Sequence, residues 1–288
     1  MRIRRTGGRV VDETARSTPE ADSVTVEVGF VGAGRMGAPM VRRLVAAGHR
    51  VRALGRTDAK RAAVAELGAT PVAELAAVAT DADVVALCVF TDDQVREIAP
   101  GLIDAMPRGS VLVLHTTGNP RTAEELADRA RLRGVHVVDA PLSGGPHDIA
   151  AGAVTLWVGG TDEAVQRAHP ALSAYGDPVQ HLGPIGSGQK VKLINNTLFA
   201  AQIGLVAEAA RLGAGLGVDE AALLTALPHG SGASKAMGNI ARAGSTANFI
   251  GAVGEFIGKD VAVVRQTVDD LGVGLGRLDP LVDAGLGH

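Results

Sequence analysis

Residues 28–57, VGFVGAGRMGAPMVRRLVAAGHRVRALGRT, carry the strongest structural signal in this chain. The pattern GxGxxG falls on Gly32, Gly34 and Gly37, between an apolar β-branched run and an amphipathic segment. The first glycine permits a tight turn, the second lets backbone N–H groups approach a pyrophosphate, and the third lets the helix pack on the sheet. A plain tight turn is the alternative, but a second strand-like run at the right distance favours a dinucleotide-binding βαβ unit. The predicted cofactor contacts in this loop are Gly32, Gly34, Arg35, Met36 and Gly37.

The end of the second predicted strand indicates which dinucleotide binds. NAD sites usually place an acid there for the ribose 2′-hydroxyl. Here Gly55 stands at that point, and Arg56, Thr57 and Lys60 follow it. Because a missing acid with nearby cations suits a 2′-phosphate, we predict that Arg56 and Thr57 bind NADP in preference to NAD. The alternative is that Arg56 is an ordinary solvated charge.

Short apolar runs alternate with amphipathic segments through the first two thirds of the chain. This alternation predicts a parallel sheet with helices on both faces, a doubly wound Rossmann-type α/β domain over residues 24–184. Two later runs, 153–160 and 178–183, are predicted to extend the same sheet around a helix at 161–174. The five main predicted strands are 24–32, 49–54, 83–90, 110–116 and 135–140.

The pattern changes after Gly188, where no further strand-like run occurs. The following segment predicts one helix of about 25 residues that is apolar over most of its circumference and therefore buried on several sides. We predict an all-helical domain over residues 185–288 for substrate binding and dimerisation. A domain this thin needs a partner to complete its core, so a homodimer is expected. Residues 1–23, which lack an apolar segment, are predicted to be a disordered tail.

Composition narrows the possible partners and compartments. The formal net charge of −3 gives no reason to expect binding to nucleic acid or to an anionic membrane. No apolar stretch is long enough for a membrane span, and the His and acidic residues show no metal-ligand spacing. The single Cys88 lies in an apolar run and cannot form an internal disulfide, which suits a reducing, cytoplasmic location.

Lysine is scarce in this chain, with five residues against 23 arginines, yet two lysines lie close together in GSGQKVKLINN, residues 186–196. A partly buried lysine can lose and regain its proton, whereas arginine stays charged. On a helix, Lys192 shares one face with Gly188 and Asn196, while Lys190 points about 160° away from them. Spacing therefore favours Lys192 as a proton-handling group, and the alternative is a lysine that extends from a buried helix to solvent.

Four stretches together resemble the β-hydroxyacid dehydrogenase family, which includes 3-hydroxyisobutyrate dehydrogenase and glyoxylate or succinic-semialdehyde reductases. They are GFVGAGRMGAPM (29–40), DAPLSGG (139–145), GSGQKVKLINN and GKD (258–260), and the resemblance covers about residues 26–275. It implies NAD(P)-dependent hydride transfer involving a small β-hydroxy acid or its semialdehyde, with Lys192 as general acid and base. Asn196 would bind the substrate hydroxyl or orient the lysine, and Gly188 would leave room for a ligand.

The resemblance also implies the remaining contacts. Ser143, Gly144 and Gly145 would offer hydroxyl and backbone donors to a substrate carboxylate, and a glycine-rich turn is the alternative. Thr116 takes the place of a substrate-contacting Ser or Thr. Thr91 and Lys259 take the places of cofactor contacts, and Asp260 is interpreted as structural.

Several departures from the family pattern keep other functions open. PHDIAAG follows SGG where another Gly and Ala are usual, Phe90 stands in place of a proline, and LHTT (114–117) replaces an Asp-x-Ser-Thr strand end. A glycine-rich tail is expected where the family has a final helix. An imine reductase is disfavoured by Lys192, and 6-phosphogluconate dehydrogenase by the length of its helical domain. A catalytically silent dinucleotide-binding protein is the third alternative.

Overall fold

The computed structural model describes residues 24–287, so the predicted tail at 1–23 lies outside the described residues. Its main feature is a six-stranded, fully parallel sheet in the order β3-β2-β1-β4-β5-β6. This order confirms the predicted doubly wound Rossmann-type fold. The strands are β1 (Glu27–Val31), β2 (Arg50–Leu54), β3 (Thr70–Val72), β4 (Val84–Leu87), β5 (Val111–Leu114) and β6 (His136–Asp139).

Helices cover both faces of this sheet and leave the central strands β4 and β5 buried along their whole length. The edge strand β3 was not predicted, because its three residues Thr-Pro-Val are too short to show a period. The helices of this part are α1 (Gly37–Ala46), α2 (Asp58–Glu66), α3 (Leu75–Ala79), α4 (Asp92–Ala105), α5 (Pro120–Arg133), α6 (Pro146–Ala150) and α7 (Asp162–Leu172).

The prediction that residues 153–160 and 178–183 extend the main sheet was wrong. They form a separate three-stranded sheet of β7 (Leu142–Ser143), β8 (Val154–Val158) and β9 (Gly176–His181), in the order β7-β8-β9. Only an isolated bridge between Asp139 and Gly159 joins it to the end of β6. The antiparallel β7–β8 pair reverses the chain direction, so the loop from 139 to 145 turns back across the strand ends.

A 29-residue helix, α8 (Ser187–Gly215), organises the second part of the structure, close to its predicted length. The final helix, α12 (Asp279–Leu286), packs closely against α8, because Gly204 and Gly285 bring the two backbones together. A β-carbon at position 204 would lie 3.0 Å from the Gly285 nitrogen. Residues 279–286 therefore form a helix, and the expectation of a glycine-rich tail in their place is wrong. The remaining helices are α9 (Glu220–Ala226), α10 (Lys235–Ala243), α11 (Thr246–Asp270) and α12 (Asp279–Leu286), with short 3₁₀ turns at Leu227–His229 and Gly276–Leu278.

One face of α8 is exposed in the single chain, and the predicted burial of this helix on several sides would require the expected partner chain to cover that face. Ile194, Leu205, Leu212 and Leu216 each expose more than half of their surface, whereas Ile203 and Ala200 on the opposite side are fully buried. None of the helices between residues 24 and 287 combines the length and apolarity that crossing a bilayer requires.

Candidate active site

The carboxyl ends of β1, β4, β5 and β6 lie at one edge of the main sheet, and α8 begins beside the end of β6. In doubly wound sheets ligands bind at this edge. Every motif singled out in the sequence, from the glycine loop to GSGQKVKLINN, reaches it. The site is therefore assembled from loops of the α/β part and from one face of the helical part.

The glycine loop between β1 and α1 has the shape that a pyrophosphate needs. Gly32 has a φ of 99°, and a β-carbon there would overlap the carbonyl group of Cys88 on the neighbouring strand. Gly34 faces open space, with no atom within 4 Å of a β-carbon built on it. Helix α1 has neither a side-chain cap nor an acid in its first turn, so its N–H groups and dipole remain available to an anion. These residues fit a bound dinucleotide.

The end of β2 lacks an acid for a packing reason. A β-carbon on Gly55 would lie 2.8 Å from the backbone nitrogen of Arg61, because α2 passes directly over this position. Arg61 also donates from Nη1 to the Gly55 carbonyl oxygen at 3.0 Å. Arg56 and Thr57 are exposed next to it, and the Thr57 hydroxyl caps α2 by accepting from the Lys60 N–H at 3.3 Å. Arg61, which the sequence reasoning missed, is a further cation beside Gly55, and its guanidinium pairs with Asp58.

Lys192 is partly buried on α8, and desolvation lowers the pKa of its ammonium group. Two charges from α11 act in opposite directions: Asp260 raises this pKa and Lys259 lowers it. The net direction is downward, so the neutral amine is more accessible than in a solvated lysine. This is the environment that a lysine needs in order both to accept and to donate a proton.

Asn196, one turn beyond Lys192, donates from Nδ2 to Asp260 Oδ2 at 2.6 Å. The other oxygen, Asp260 Oδ1, lies 3.2 Å from Lys259 Nζ. Asn195 is drawn into the same set, because its Nδ2 donates to Asn196 Oδ1 at 3.2 Å. Asp260 thus links α8 and α11, the two helices of the site. The sequence-based interpretation of Asp260 as structural did not specify these partners.

Lys190 lies on a different face of α8 from Lys192. It is exposed, and its Nζ is 3.1 Å from Glu124 Oε1 on α5. The helical separation of the two lysines is therefore confirmed.

Gly188 differs from its expected role. A β-carbon there would overlap the Trp157 carbonyl oxygen and would lie 2.8 Å from Asp139 Oδ2. The expectation that this glycine leaves room for a ligand is wrong. It is needed because α8 begins in direct contact with the backbone of β8 and the end of β6.

The loop DAPLSGG offers fewer free donors than predicted. Gly144 has a φ of 140°, a conformation that favours glycine. The Gly145 N–H already donates to Asp148 Oδ2 at 2.7 Å, which removes it from the donors open to a substrate. The reason is that Asp148 caps the short helix α6, in the stretch where the sequence departs from the family. Ser143, partly buried in β7, and Gly144 remain candidate anion contacts.

Thr116 is buried at the end of β5, and its hydroxyl is bonded to the end of β4. Thr116 Oγ1 donates to the Val89 carbonyl oxygen at 2.9 Å and accepts from the Val89 N–H at 3.1 Å. Thr117, the next residue, lines an open cleft of about 420 Å³ together with Lys259. The remaining residues that line this cleft are Thr91, Asp92, Asp93, Arg96, Asn119, Ala262, Val263 and Gln266.

Thr91 begins helix α4 with a capping box, in which Gln94 N–H donates to Thr91 Oγ1 at 3.2 Å. Gln94 Oε1 in turn accepts from the Phe90 N–H at 2.9 Å. The threonine hydroxyl is therefore already engaged, and any cofactor contact must share it.

A group of aromatic and cationic side chains adjoins the cleft at Lys259, which is one of its lining residues. Lys259 Nζ donates to the Phe90 carbonyl oxygen at 3.0 Å and lies 4.9 Å from the Phe90 ring centroid. Phe90 makes an edge-to-face contact with Phe256, with 6.0 Å between ring centroids. The Arg35 guanidinium carbon lies 5.4 Å from the Phe256 ring centroid, which connects the glycine loop to α11.

Two buried polar residues of the site were missed by sequence reasoning. Asp139 Oδ1 accepts from the Gly186 N–H at 2.6 Å, and Asp139 Oδ2 accepts from the Gln189 N–H at 2.7 Å. Burial raises the pKa of Asp139 to about 6, against the effect of these two donors. Gln189 connects to the β5–α5 loop through both atoms of its amide. Asp139 lies in the motif DAPLSGG and Gln189 in GSGQKVKLINN. No short-range feature of the sequence indicates that these two residues contact each other.

A doubly wound sheet with a pyrophosphate-binding loop, followed by a helical domain that presents a partly buried lysine, defines an NAD(P)-dependent oxidoreductase. Comparison with known proteins agrees. Residues 27–183 match the NAD-binding domain of 6-phosphogluconate dehydrogenase, and residues 186–278 match the NAD-binding domain of NADP-dependent 3-hydroxyisobutyrate dehydrogenase. Among the residues described, 24–287, no group of three or more His, Cys, Asp or Glu side chains is placed to hold a metal ion.

Individual relatives lie in the same family. The chain is 31% identical over 220 residues to 2-(hydroxymethyl)glutarate dehydrogenase of Eubacterium barkeri, covering 74% of this chain and 72% of that protein. It is 32% identical over 214 residues to NAD-dependent L-serine dehydrogenase of Pseudomonas aeruginosa, covering 73% and 72%. The structure of Mycobacterium tuberculosis 3-hydroxyisobutyrate dehydrogenase with L-serine superposes with a TM-score of 0.82, 27% identity and coverage of 90% and 92%. The chain belongs to the β-hydroxyacid dehydrogenase family, whose members act on CH–OH groups with NAD(P).

Proposed function

We propose that this protein is an NADP-dependent oxidoreductase that interconverts a small β-hydroxy acid and its semialdehyde, with Lys192 as general acid and base. The observation that carries this proposal is the environment of Lys192. It is partly buried, its pKa is lowered, and it lies between Asn196 on its own helix and the Lys259–Asp260 pair on α11.

The proton chemistry follows from these neighbours. When bound, the nicotinamide cofactor would accept or supply the hydride. In oxidation the neutral Lys192 amine takes the hydroxyl proton, and in reduction the ammonium group returns a proton to the carbonyl oxygen. Asp260 favours the ammonium form, whereas burial and Lys259 favour the neutral amine, and the net direction is towards the amine.

Substrate orientation is assigned to the loops that follow β5 and β6. We propose that Ser143 and Gly144 bind a substrate carboxylate, with Thr116 or its neighbour Thr117 as an additional contact. Two relatives with informative names act on 2-(hydroxymethyl)glutarate and L-serine, and both molecules carry a carboxylate beside a hydroxymethyl group. This supports the class of substrate without identifying the compound.

NADP is the proposed cofactor, bound by Gly32, Gly34, Arg35, Met36 and Gly37. Gly55 leaves no carboxylate for the ribose, and Arg56 and Thr57 are exposed at that point. Thr91 and Lys259 are the proposed contacts near the nicotinamide.

The proposed assembly is a homodimer. The exposed leucines of α8 form an apolar face that a second copy of the chain would cover. We propose a reducing, cytoplasmic location because Cys88, the chain's only cysteine, cannot form an internal disulfide.

The experiment is a steady-state assay of NADPH and NADP absorbance with a panel of carboxylate-bearing semialdehydes, β-hydroxy acids and cyclic imines. We expect turnover with the semialdehydes and hydroxy acids and none with the imines. Turnover of the imines alone would indicate an imine reductase. Cofactor binding without any turnover would favour a silent dinucleotide-binding protein.

A further inference from the structure

Four chain segments that border the site are joined by one continuous set of buried hydrogen bonds. The links are made by the side chains of Asp139, Gln189 and Thr116, each of which exposes 5% or less of its surface. Asp139 holds the first turn of α8 at the end of β6, and Thr116 holds the end of β5 at the end of β4. Gln189 is the middle link between these two.

Gln189 uses its amide group fully. Gln189 Nε2 donates to the Thr116 carbonyl oxygen at 2.8 Å, and Gln189 Oε1 accepts from the Gly118 N–H at 3.0 Å. Both bonds are buried and involve backbone groups of the β5–α5 loop, which have no water to replace the amide. The side chain therefore fixes both the distance and the rotation of the first turn of α8 relative to this loop.

Lys192 lies three residues after Gln189, so the two side chains are neighbours along the helix. The position of the lysine relative to the loop depends on the orientation of that first turn. The adjacent Gly188 leaves no room for a side chain, since a β-carbon there would overlap the Trp157 carbonyl oxygen. A small rotation of α8 would carry Lys192 towards or away from solvent.

We propose that Gln189 is a positioning residue whose amide clamps the first turn of α8 to the β5–α5 loop and so determines where Lys192 stands and how deeply it is buried. The proposal rests on the proposed role of Lys192. Gln189 acts through the lysine and does not contact the substrate.

The test compares Gln189→Leu with Gln180→Leu, a matched substitution at an exposed glutamine of β9 that binds Trp157 outside the site. The accessibility of the Lys192 amine is measured as the pH dependence of its acetylation by acetic anhydride, followed by mass spectrometry. We expect the labelling midpoint of Gln189→Leu to move upward, because water reaches a less buried lysine. Gln180→Leu should match the unsubstituted protein.

Turnover provides a second readout. With an active semialdehyde, Gln189→Leu should lower kcat by roughly tenfold to a hundredfold, as expected for a displaced catalytic group, while NADPH binding is kept. A labelling midpoint that stays unchanged in Gln189→Leu, whatever happens to kcat or to the melting temperature, would overturn the proposal. If Gln189→Leu does not fold, Gln189→Met removes both hydrogen bonds with a more flexible side chain and is judged by the same criteria.

Labelling needs no substrate, so it separates this proposal from the proposed function. A protein that turns over nothing in the panel, yet shows the shifted midpoint, would contradict the function and keep the positioning role. An active enzyme whose Gln189→Leu variant shows an unshifted midpoint would support the proposed function and contradict the positioning role.

Discussion

Asn196 and Asp260 join the two helices of the active site through a hydrogen bond of 2.6 Å between Nδ2 and Oδ2. The carboxylate is only partly exposed and also contacts Lys259, and its charge raises the pKa of Lys192. The partly buried amine of Lys192 therefore has one negative neighbour, Asp260, and one positive neighbour, Lys259. This arrangement leads to the first two predictions.

Replacing Lys192 by alanine should lower kcat by roughly 10²–10⁴-fold, the usual contribution of a general acid or base. NADPH binding, measured by the fluorescence of the bound cofactor, should be nearly unchanged. Lys190→Ala is the matched control, because Lys190 is exposed and paired with Glu124. Loss of cofactor binding with full turnover per bound site would contradict the role of Lys192.

Asp260→Asn should shift the pH profile of kcat/KM to lower pH. Asp260 raises the pKa of Lys192 by stabilising the ammonium form, so its neutralisation lowers that pKa further. For oxidation, which needs the amine, the rising limb moves to lower pH. For reduction, which needs the ammonium form, activity is lost at lower pH. Asp269→Asn, an exposed acid on the same helix, serves as control, and a shift in the opposite direction would refute the assignment.

Gly188→Ala should destabilise the protein by about 1–3 kcal/mol, the range for inserting a methyl group into a packed interface. The new β-carbon would overlap the Trp157 carbonyl oxygen and press on Asp139. The free energy of unfolding in urea measures this effect. Gly215→Ala, at the other end of α8 with no atom within 4 Å of the added carbon, should be neutral or slightly stabilising. Equal stability of the two variants would show that α8 does not begin in tight contact.

Arg56→Ala should weaken NADPH binding roughly tenfold, the typical effect of losing a charge-assisted hydrogen bond, and leave NADH binding unchanged. Titration by cofactor fluorescence measures both constants. Arg121→Ala, an exposed arginine on α5, is the control. Gly55→Asp is a poor test of preference, since α2 leaves no room for the added side chain. An equal loss for both cofactors would argue against a 2′-phosphate contact.

The combined substitution Leu205→Glu and Leu212→Glu should convert a dimer into a monomer, because it places charges on the exposed apolar face of α8. Light scattering coupled to gel filtration gives the mass. Leu132→Glu, at a more exposed leucine of α5, should leave the assembly unchanged. An unsubstituted protein that is monomeric at micromolar concentration would remove the basis for this interface.

Local patterns in the sequence were sufficient for the fold class and for the candidate lysine. The glycine loop, the alternation of strands and helices, and the spacing of 188, 192 and 196 are all short-range features with fixed periods. They predicted the Rossmann-type sheet, the long helix and the separation of Lys190 from Lys192, which the structure confirms. The family resemblance rests on the same short motifs.

Contacts between distant residues were decided only by the tertiary structure. Asp260 pairs with Asn196 across 64 positions, and Gln189 reaches Thr116 across 73. No local period encodes such pairs, because they depend on how elements distant in the sequence pack together. The same reason explains Gly188, whose role is set by β8 and Asp139. It also explains the second sheet, where the reversed direction of β7 depends on a partner strand. The sequence by itself thus specified the elements and their chemistry, and packing selected which side chains meet.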